Sequence, residues 1–179
     1  SELRLRHMVD NVPGITYRCS MDADWTMSYI SPAIENLLGF PANDFIDNKI
    51  RTYSSIIYPA DIDYLDSSVV TALHKRQIFN IEYRVVDKNG DIHWVYERGQ
   101  GVHDADGQVE WIDGIIVDIT EQKRILNDLQ KSEARYSSII ENIPNVVMRV
   151  STEGIVEFIN RDFSCADRDD ILGKNVLTI

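Results

Sequence analysis

Trp111-Ile-Asp-Gly-Ile-Ile-Val-Asp-Ile-Thr-Glu-Gln-Lys-Arg124 changes character halfway along. Ile112 to Ile119 crowds β-branched residues together, interrupted by Asp113, Gly114 and Asp118, and so reads as a strand. Thr120 then offers a hydroxyl to cap a helix, and Glu121 sets a negative charge at its positive end. From there to Asn142 there is neither Pro nor Gly. A buried strand therefore hands its direction to a long helix with no flexible loop between. Such a joint passes strain from a core to whatever the helix carries, which makes Asp118, Ile119 and Thr120 the candidate signal relay. Asp118 is expected to anchor the sheet end through Arg18.

Upstream, Phe79, Ile81, Tyr83 and Val85 alternate with Asn80, Glu82 and Arg84, the period of a half-buried strand. Asp87-Lys-Asn-Gly90 is a hairpin turn, since Asn-Gly tolerates the positive φ such turns need. Ile92 to Val102 returns, and Asp104-Ala-Asp-Gly107 turns again into Val109 to Ile119. Earlier, Ile15 to Met21 and Met27 to Ile30 read as two strands, joined at Asp22-Ala-Asp24. Ser31-Pro32 starts a helix over Ala33 to Leu38, with the Ser31 hydroxyl as its cap, and Gly39 ends it. Asn43 to Ile46 and Thr52 to Ile57 are short helical turns. Pro59-Ala-Asp61 opens a helix to about Lys75, with Ile62, Leu65, Val69 and Leu73 as its apolar stripe. Leu5, Met8, Val9 and Val12 give a leading amphipathic helix that breaks at Pro13-Gly14. Two successive hairpins after a helical block indicate an α+β domain.

A repeat follows the connecting helix. Ile140-Glu-Asn-Ile-Pro-Asn-Val-Val-Met-Arg149 echoes Val9-Asp-Asn-Val-Pro-Gly-Ile-Thr-Tyr-Arg18, and Phe158-Ile-Asn160 echoes Tyr29-Ile-Ser31. The expected division is a leading helix at 1–13, a complete domain at 14–119, a linker helix at 120–142 and the start of a second domain at 143–179. The piece at 136–179 is too small to fold alone. Val146, Met148, Val150, Val156, Phe158 and Phe163 are expected to hide against another copy or a neighbouring chain's complete domain.

The net charge is −11, and residues 1–119 carry 10 Lys and Arg against 19 Asp and Glu. Such a surface repels phosphate backbones, so no nucleic-acid binding is expected. No apolar run approaches the ~20 residues of a membrane span, so no membrane contact by this segment is expected. Cys19 and Cys165 are too few and too scattered for a disulfide framework or zinc site, and a cytoplasmic setting fits. There is no Ser/His/Asp or Cys/His set, no phosphate-cradling loop and no metal cluster. This segment is not expected to be an enzyme.

The order and spacing of Asn11-Val-Pro13, Lys88-Asn-Gly90, His93-Trp94-Val95, Asp106-Gly107 and Gly114 to Asp118-Ile-Thr120-Glu-Gln-Lys resembles the PAS family of sensory domains. The last of these resembles the Asp-Ile-Thr ending of the PAC motif. The resemblance implies a five-stranded antiparallel sheet with the last strand central and helices over one face. It also implies an output domain farther along the parent chain, such as a histidine kinase or diguanylate cyclase. Flavin-adduct members carry a cysteine on the short helices, where Lys49-Ile-Arg-Thr-Tyr53 has none. Haem members use a His well inside the long helix, whereas His74 stands near its end beside Lys75-Arg76. Neither cofactor is expected, no other is named by the sequence, and His7, His74, His93 and His103 are read as structural.

Resemblance to ligand-bound members turns Tyr17, Phe79, Ile81, Tyr83, Val85, Val95, Glu97, Gly99, Ile112, Gly114 and Ile116 inward. A filled core needs no ligand. Yet Gly99 and Gly114 remove side-chain volume mid-strand, and Glu97 is a carboxylate among hydrophobes. It needs a partner or a raised pKa; Tyr17 and Tyr83 add hydroxyls, while the plainer expectation is that it reaches the sheet edge or pairs with an arginine. A small-molecule ligand is thus one possibility.

Trp94, Tyr96, Trp111, Ile115, Val117 and Ile119 take the opposite parity, too apolar a patch to leave uncovered. Either the leading helix or a second subunit covers it. Gln122, Ile125, Leu129, Ser132, Tyr136 and Ile139 fall at heptad spacing on the linker helix. Together these predict a homodimer. The expected function is a sensory module that dimerises and relays a change through the joint; the alternative is a dimerisation module without a ligand.

Overall fold

A computed structural model describes residues 14–162 and 167–178 and divides the chain into two compact units, at Ser1–Lys123 and Arg124–Ile179. The leading helix, with His7 and Asn11-Val-Pro13, and the residues Phe163 and Cys165 lie outside the described residues.

In the first unit, strands β1 (Ile15–Cys19), β2 (Met27–Ile30), β3 (Phe79–Val86), β4 (Ile92–His103) and β5 (Val109–Asp118) form one antiparallel sheet in the order β2-β1-β5-β4-β3. The last strand in sequence is therefore central, as the resemblance implies. Helices α1 (Ala33–Leu38) and α2 (Ile62–His74) and three short 3-10 turns occupy the connection between β2 and β3. The α2 stripe buries Leu65, Val69 and Leu73 against Phe79, Ile81, Tyr83, Val85, Val95, Ile112 and Ile116 of the sheet. Each such side chain removes roughly 1.5–3 kcal/mol of apolar exposure. Gly39 takes a positive φ at the α1 C-terminus, and its N–H closes on Glu35.

The Ser31 hydroxyl does not cap α1. It accepts a hydrogen bond from the Thr16 N–H at 3.1 Å, while the Ser31 N–H donates to the Thr16 carbonyl at 2.8 Å. Ser31 is buried between two strands, where a backbone partner offsets the cost of desolvating its hydroxyl. β1 also ends at Cys19 rather than Met21, and the chain then turns where the Trp25 N–H donates to the Asp22 carbonyl at 3.3 Å.

Helix α3 runs from Thr120 to Asn142 and buries no side chain among the described residues. In the second unit, β6 (Met148–Val150) and β7 (Val156–Ile159) pair, and α4 (Arg168–Ile171) packs on them. Val156, Ile159 and Ile171 form a small core with Met148 against it. The fragment therefore hides Val156 by its own folding, contrary to expectation; Val146 and Val150 are exposed and Phe158 is half-buried. A bulge between Arg149 and Val150 breaks the alternation that would have turned Val150 to the side of Met148, and Val146 lies before β6. No helix among the described residues is long and apolar enough to cross a membrane.

Candidate functional site

Four strands align Phe79, Gly99, Gly114 and Tyr17 in one row across β3, β4, β5 and β1. The two glycines do not leave space. A side chain on Gly114 would come within 2.5 Å of the Tyr17 Oη, and one on Gly99 would strike the Phe79 ring. Two aromatic rings occupy the volume the glycines give up, through cross-strand packing.

The neighbouring row aligns Ile81, Glu97, Ile116 and Ile15. Glu97 neither reaches the sheet edge nor pairs with an arginine. It is 6% exposed, and its two carboxylate oxygens accept hydrogen bonds from Tyr17 and from Tyr83, the latter at 2.6 Å. Tyr83 also shares a 2.8 Å hydrogen bond with Tyr53. Burial raises the Glu97 pKa, and the two tyrosine hydrogen bonds oppose that rise. Burial first, and the Glu97 charge second, push the Tyr17 and Tyr83 phenols up; burial does the same to Tyr53 and to the Cys19 thiol. These groups stay protonated at neutral pH, and Tyr17 and Tyr83 serve as donors to Glu97.

Beside Glu97 lies a cavity of about 20 Å³, lined also by Cys19, Trp25, Met27, Tyr53, Leu65 and Val69. That is room for about one water molecule. Tyr53 and Trp25 were not foreseen as part of the site. They stand in irregular segments where no periodicity marks an inward side chain, and Trp25 takes a positive φ with its indole donating to Asp66 at 3.1 Å. No group of three or more His, Cys, Asp or Glu among the described residues could hold a metal ion. His93 approaches Asp87 at 3.4 Å beside the hairpin turn.

The joint lies on the same two strands. Val95 pairs with Asp118 and Glu97 with Ile116. Beyond them the Trp94 backbone holds the helix start: its N–H donates to the Thr120 hydroxyl at 2.9 Å, and its carbonyl accepts from the Ile119 N–H at 2.9 Å and the Thr120 hydroxyl at 3.4 Å. Thr120 is therefore not the cap. The Asp118 carboxylate takes that role, accepting the Thr120 N–H at 2.8 Å. Arg18, expected to pair with Asp118, instead grips Asp113 with two hydrogen bonds at 2.6 and 2.7 Å, since Asp113 is its cross-strand partner. Lys123, in the first turn of α3, pairs with Glu82 at 2.5 Å and sits 5.1 Å from the Trp94 ring centre.

Trp94, Tyr96, Trp111, Ile115, Val117 and Ile119 are all half-buried rather than bare. Arg18 lies 4.5 Å over Trp111, Arg84 5.4 Å over Trp94, and the Tyr96 hydroxyl donates to Asn80 at 2.7 Å. Long cationic stems cover aromatic faces while their charges stay wet. On α3, by contrast, Ile125, Leu129, Tyr136 and Ile139 are each at least half exposed.

Comparison with known proteins fits this geometry. A family model described as the PAS fold matches residues 27–116. The chain is 25% identical over 162 residues to the two-component sensor PprA of Pseudomonas aeruginosa, covering 90% of this chain and 17% of that protein's length. The crystal structure of a sensory box histidine kinase/response regulator from Burkholderia thailandensis superposes with a TM-score of 0.60 at 24% identity, over 74% of this chain and 97% of that one. The N-terminal domain of a diguanylate cyclase with a PAS/PAC sensor from Marinobacter aquaeolei gives 0.53 at 23% identity, over 62% and 98%. The family match covers half of the chain, and the chain belongs to the PAS family of sensory domains.

Proposed function

We propose that this chain is a homodimeric sensory relay: a change in the packing beneath the sheet passes through Asp118-Ile119-Thr120 into α3 and on to an output domain in the same polypeptide. The observation that carries the reading is the Trp94 clamp, where one backbone position of a core strand holds the helix start by three hydrogen bonds. Nothing flexible intervenes between it and the Glu97 cluster, three residues along β4. The exposed apolar seam of α3 supports dimerisation, with Ile125, Leu129 and Tyr136 at its centre and the Trp94, Tyr96, Trp111, Ile115 and Val117 face as a second contact. The names among the relatives support a histidine kinase or diguanylate cyclase as output.

Thr120→Val in the parent protein tests the relay. It keeps the side-chain shape and removes the hydroxyl, and output should lose its response to the signal while the domain stays folded. An unaltered response would sink the reading.

A second reading, an interaction module without a ligand, draws support from the cavity. About 20 Å³ is far below the ~300–1,000 Å³ of a site for a drug-sized molecule. A ligand among Tyr17, Phe79, Ile81, Tyr83, Val85, Val95, Glu97, Gly99, Ile112, Gly114 and Ile116 requires those side chains to part. Native mass spectrometry separates the two: dimer mass alone favours the ligand-free module, and a bound small molecule favours the ligand sensor.

A further inference from the structure

The sheet's inner face holds one charged side chain with no cation beside it. The Glu97 carboxylate accepts from Tyr17 of β1 and Tyr83 of β3; Tyr53, before α2, bonds Tyr83, Cys19 of β1 lines the same cavity, and β5 and α2 line it with Ile112, Ile116, Leu65 and Val69. No Lys, Arg or His lines the cavity. A structural ion pair in such a place would carry its counter-charge with it. This arrangement instead offers the carboxylate two phenols, with a third behind Tyr83, groups that either donate or accept.

Resting on the relay reading above, we propose that Glu97 is the sensing group and that the proton is what it senses. With Glu97 ionised, Tyr17 and Tyr83 donate to its two oxygens. Tyr83 has then spent its proton, so Tyr53 must donate to Tyr83. When a hydronium ion from bulk water delivers a proton to the carboxylate, one hydronium O–H bond breaks, one carboxyl O–H bond forms and a water molecule departs. The new acid must donate in its turn, and the partner it donates to must redirect its own hydroxyl. For Tyr83 the acceptor already in place is Tyr53, so the order Tyr53 to Tyr83 to Glu97 reverses into Glu97 to Tyr83 to Tyr53. Gaining or losing the proton also changes what the core must solvate. Burial disfavours the anion, so protonation relieves a penalty that ionisation restores. The strain has a short route out. Glu97 pairs with Ile116 on β5, and three residues before it on β4 stands Trp94, whose backbone holds Thr120 and Ile119.

The test follows the Glu97 side-chain carboxyl by carbon NMR on the full chain from about pH 4 to about pH 9, a range that spans ordinary and buried glutamates. Amide protection factors at Trp94, Ile119 and Thr120 are measured at the same pH values. The expected result is a Glu97 midpoint above that of the exposed glutamates, with the three amides losing protection at the same midpoint. In Glu97→Gln that pH dependence disappears. Should that variant fail to fold, Tyr83→Phe serves instead: removing a donor to the anion raises the midpoint by about one to two units. A Glu97 that keeps one protonation state throughout overturns the proposal and leaves the relay standing, as does a Glu97 that titrates while the three amides do not follow. Failure of the relay reads differently, as an output response that survives Thr120→Val.

Discussion

Tyr17 and Gly114 face each other across the β1–β5 ladder, and the tyrosine ring occupies the place a Gly114 side chain would take. The glycine is thus a packing requirement, not a backbone one, and it sets where the Tyr17 hydroxyl meets Glu97. Gly114→Leu should lower stability by about 1–3 kcal/mol through overpacking. Displacing Tyr17 also strips Glu97 of a donor, at about 1–3 kcal/mol more. Urea denaturation reads the sum; a rise in the unfolding midpoint would mean that the side chain filled a space the packing does not show.

The clamp at the joint invites a smaller change. Thr120→Val leaves the Trp94 N–H without its acceptor in a half-buried position, a loss of about 1 kcal/mol. Asp118→Ala removes the cap from the helix start, also about 1 kcal/mol. The two differ in where the loss appears. Hydrogen exchange should speed at Trp94 in the first variant and at Thr120 in the second. Equal exchange at both amides in both variants would dissolve the distinction between clamp and cap.

The strand-to-helix joint was legible because a run of β-branched residues and a helix free of Pro and Gly are local signals. The sheet's inner parity was legible for the same reason, and its burial follows the alternation from Phe79 to Val85. The partners of the polar side chains were not. Glu97 reads as an awkward carboxylate until the register sets Tyr83 two positions across and Tyr17 one strand beyond Ile116. Arg18 chose Asp113 over Asp118 because the β1–β5 register makes Arg18 and Asp113 opposite neighbours. Register is a tertiary outcome, fixed by every strand at once, and no window of sequence contains it.

Acid should act at a different place from the Glu97 cluster. The Arg84 guanidinium donates twice to Asp61, at 2.5 and 2.9 Å, and holds its carboxyl below the usual range. A group depressed in the folded state contributes stability that is complete above its unfolded pKa, about 3.9, and lost as pH falls through the folded value. The unfolding midpoint should therefore drop below about pH 4, and Asp61→Asn should be less stable at neutral pH and flatter in acid. Glu97 runs the other way. Its pKa is raised, so its contribution is present in acid and lost as pH climbs through the folded value. A decline that begins as pH rises above the unfolded glutamate value, about 4.3, and is absent from Glu97→Gln identifies it.

Dimerisation should depend on the exposed seam of α3. Leu129→Asp puts a charge where apolar side chains would meet, and sedimentation should show the dimer converting to monomer. The circular dichroism of the first unit should be retained. A variant that stays dimeric assigns the association to the sheet face around Trp94 and Trp111.

The two units share one device in different chemistry, and that gives the last prediction. Ser31 and Asn160 are both buried, and each exchanges two hydrogen bonds with the opposite residue of its hairpin. Ser31 receives the Thr16 N–H and donates its own to the Thr16 carbonyl; Asn160 receives the Val147 N–H at 2.8 Å and donates its own to the Val147 carbonyl at 3.1 Å. Asn160 does more, because its amide also donates to the carbonyls of Ile140 at 2.9 Å and Asn145 at 3.1 Å, tying in the end of α3. Ser31→Ala should strand one donor inside a large core, a loss of about 1–3 kcal/mol that leaves the first unit folded. Asn160→Ala strands three partners around a core of three buried side chains. The second unit has far less apolar burial to offset that loss, so β6, β7 and α4 should unfold locally while the first unit is untouched. Amide exchange resolves the outcome residue by residue. Protection at Val147 and Asn160 that survives Asn160→Ala would show that the hairpin is held by its backbone ladder and small core without this side chain.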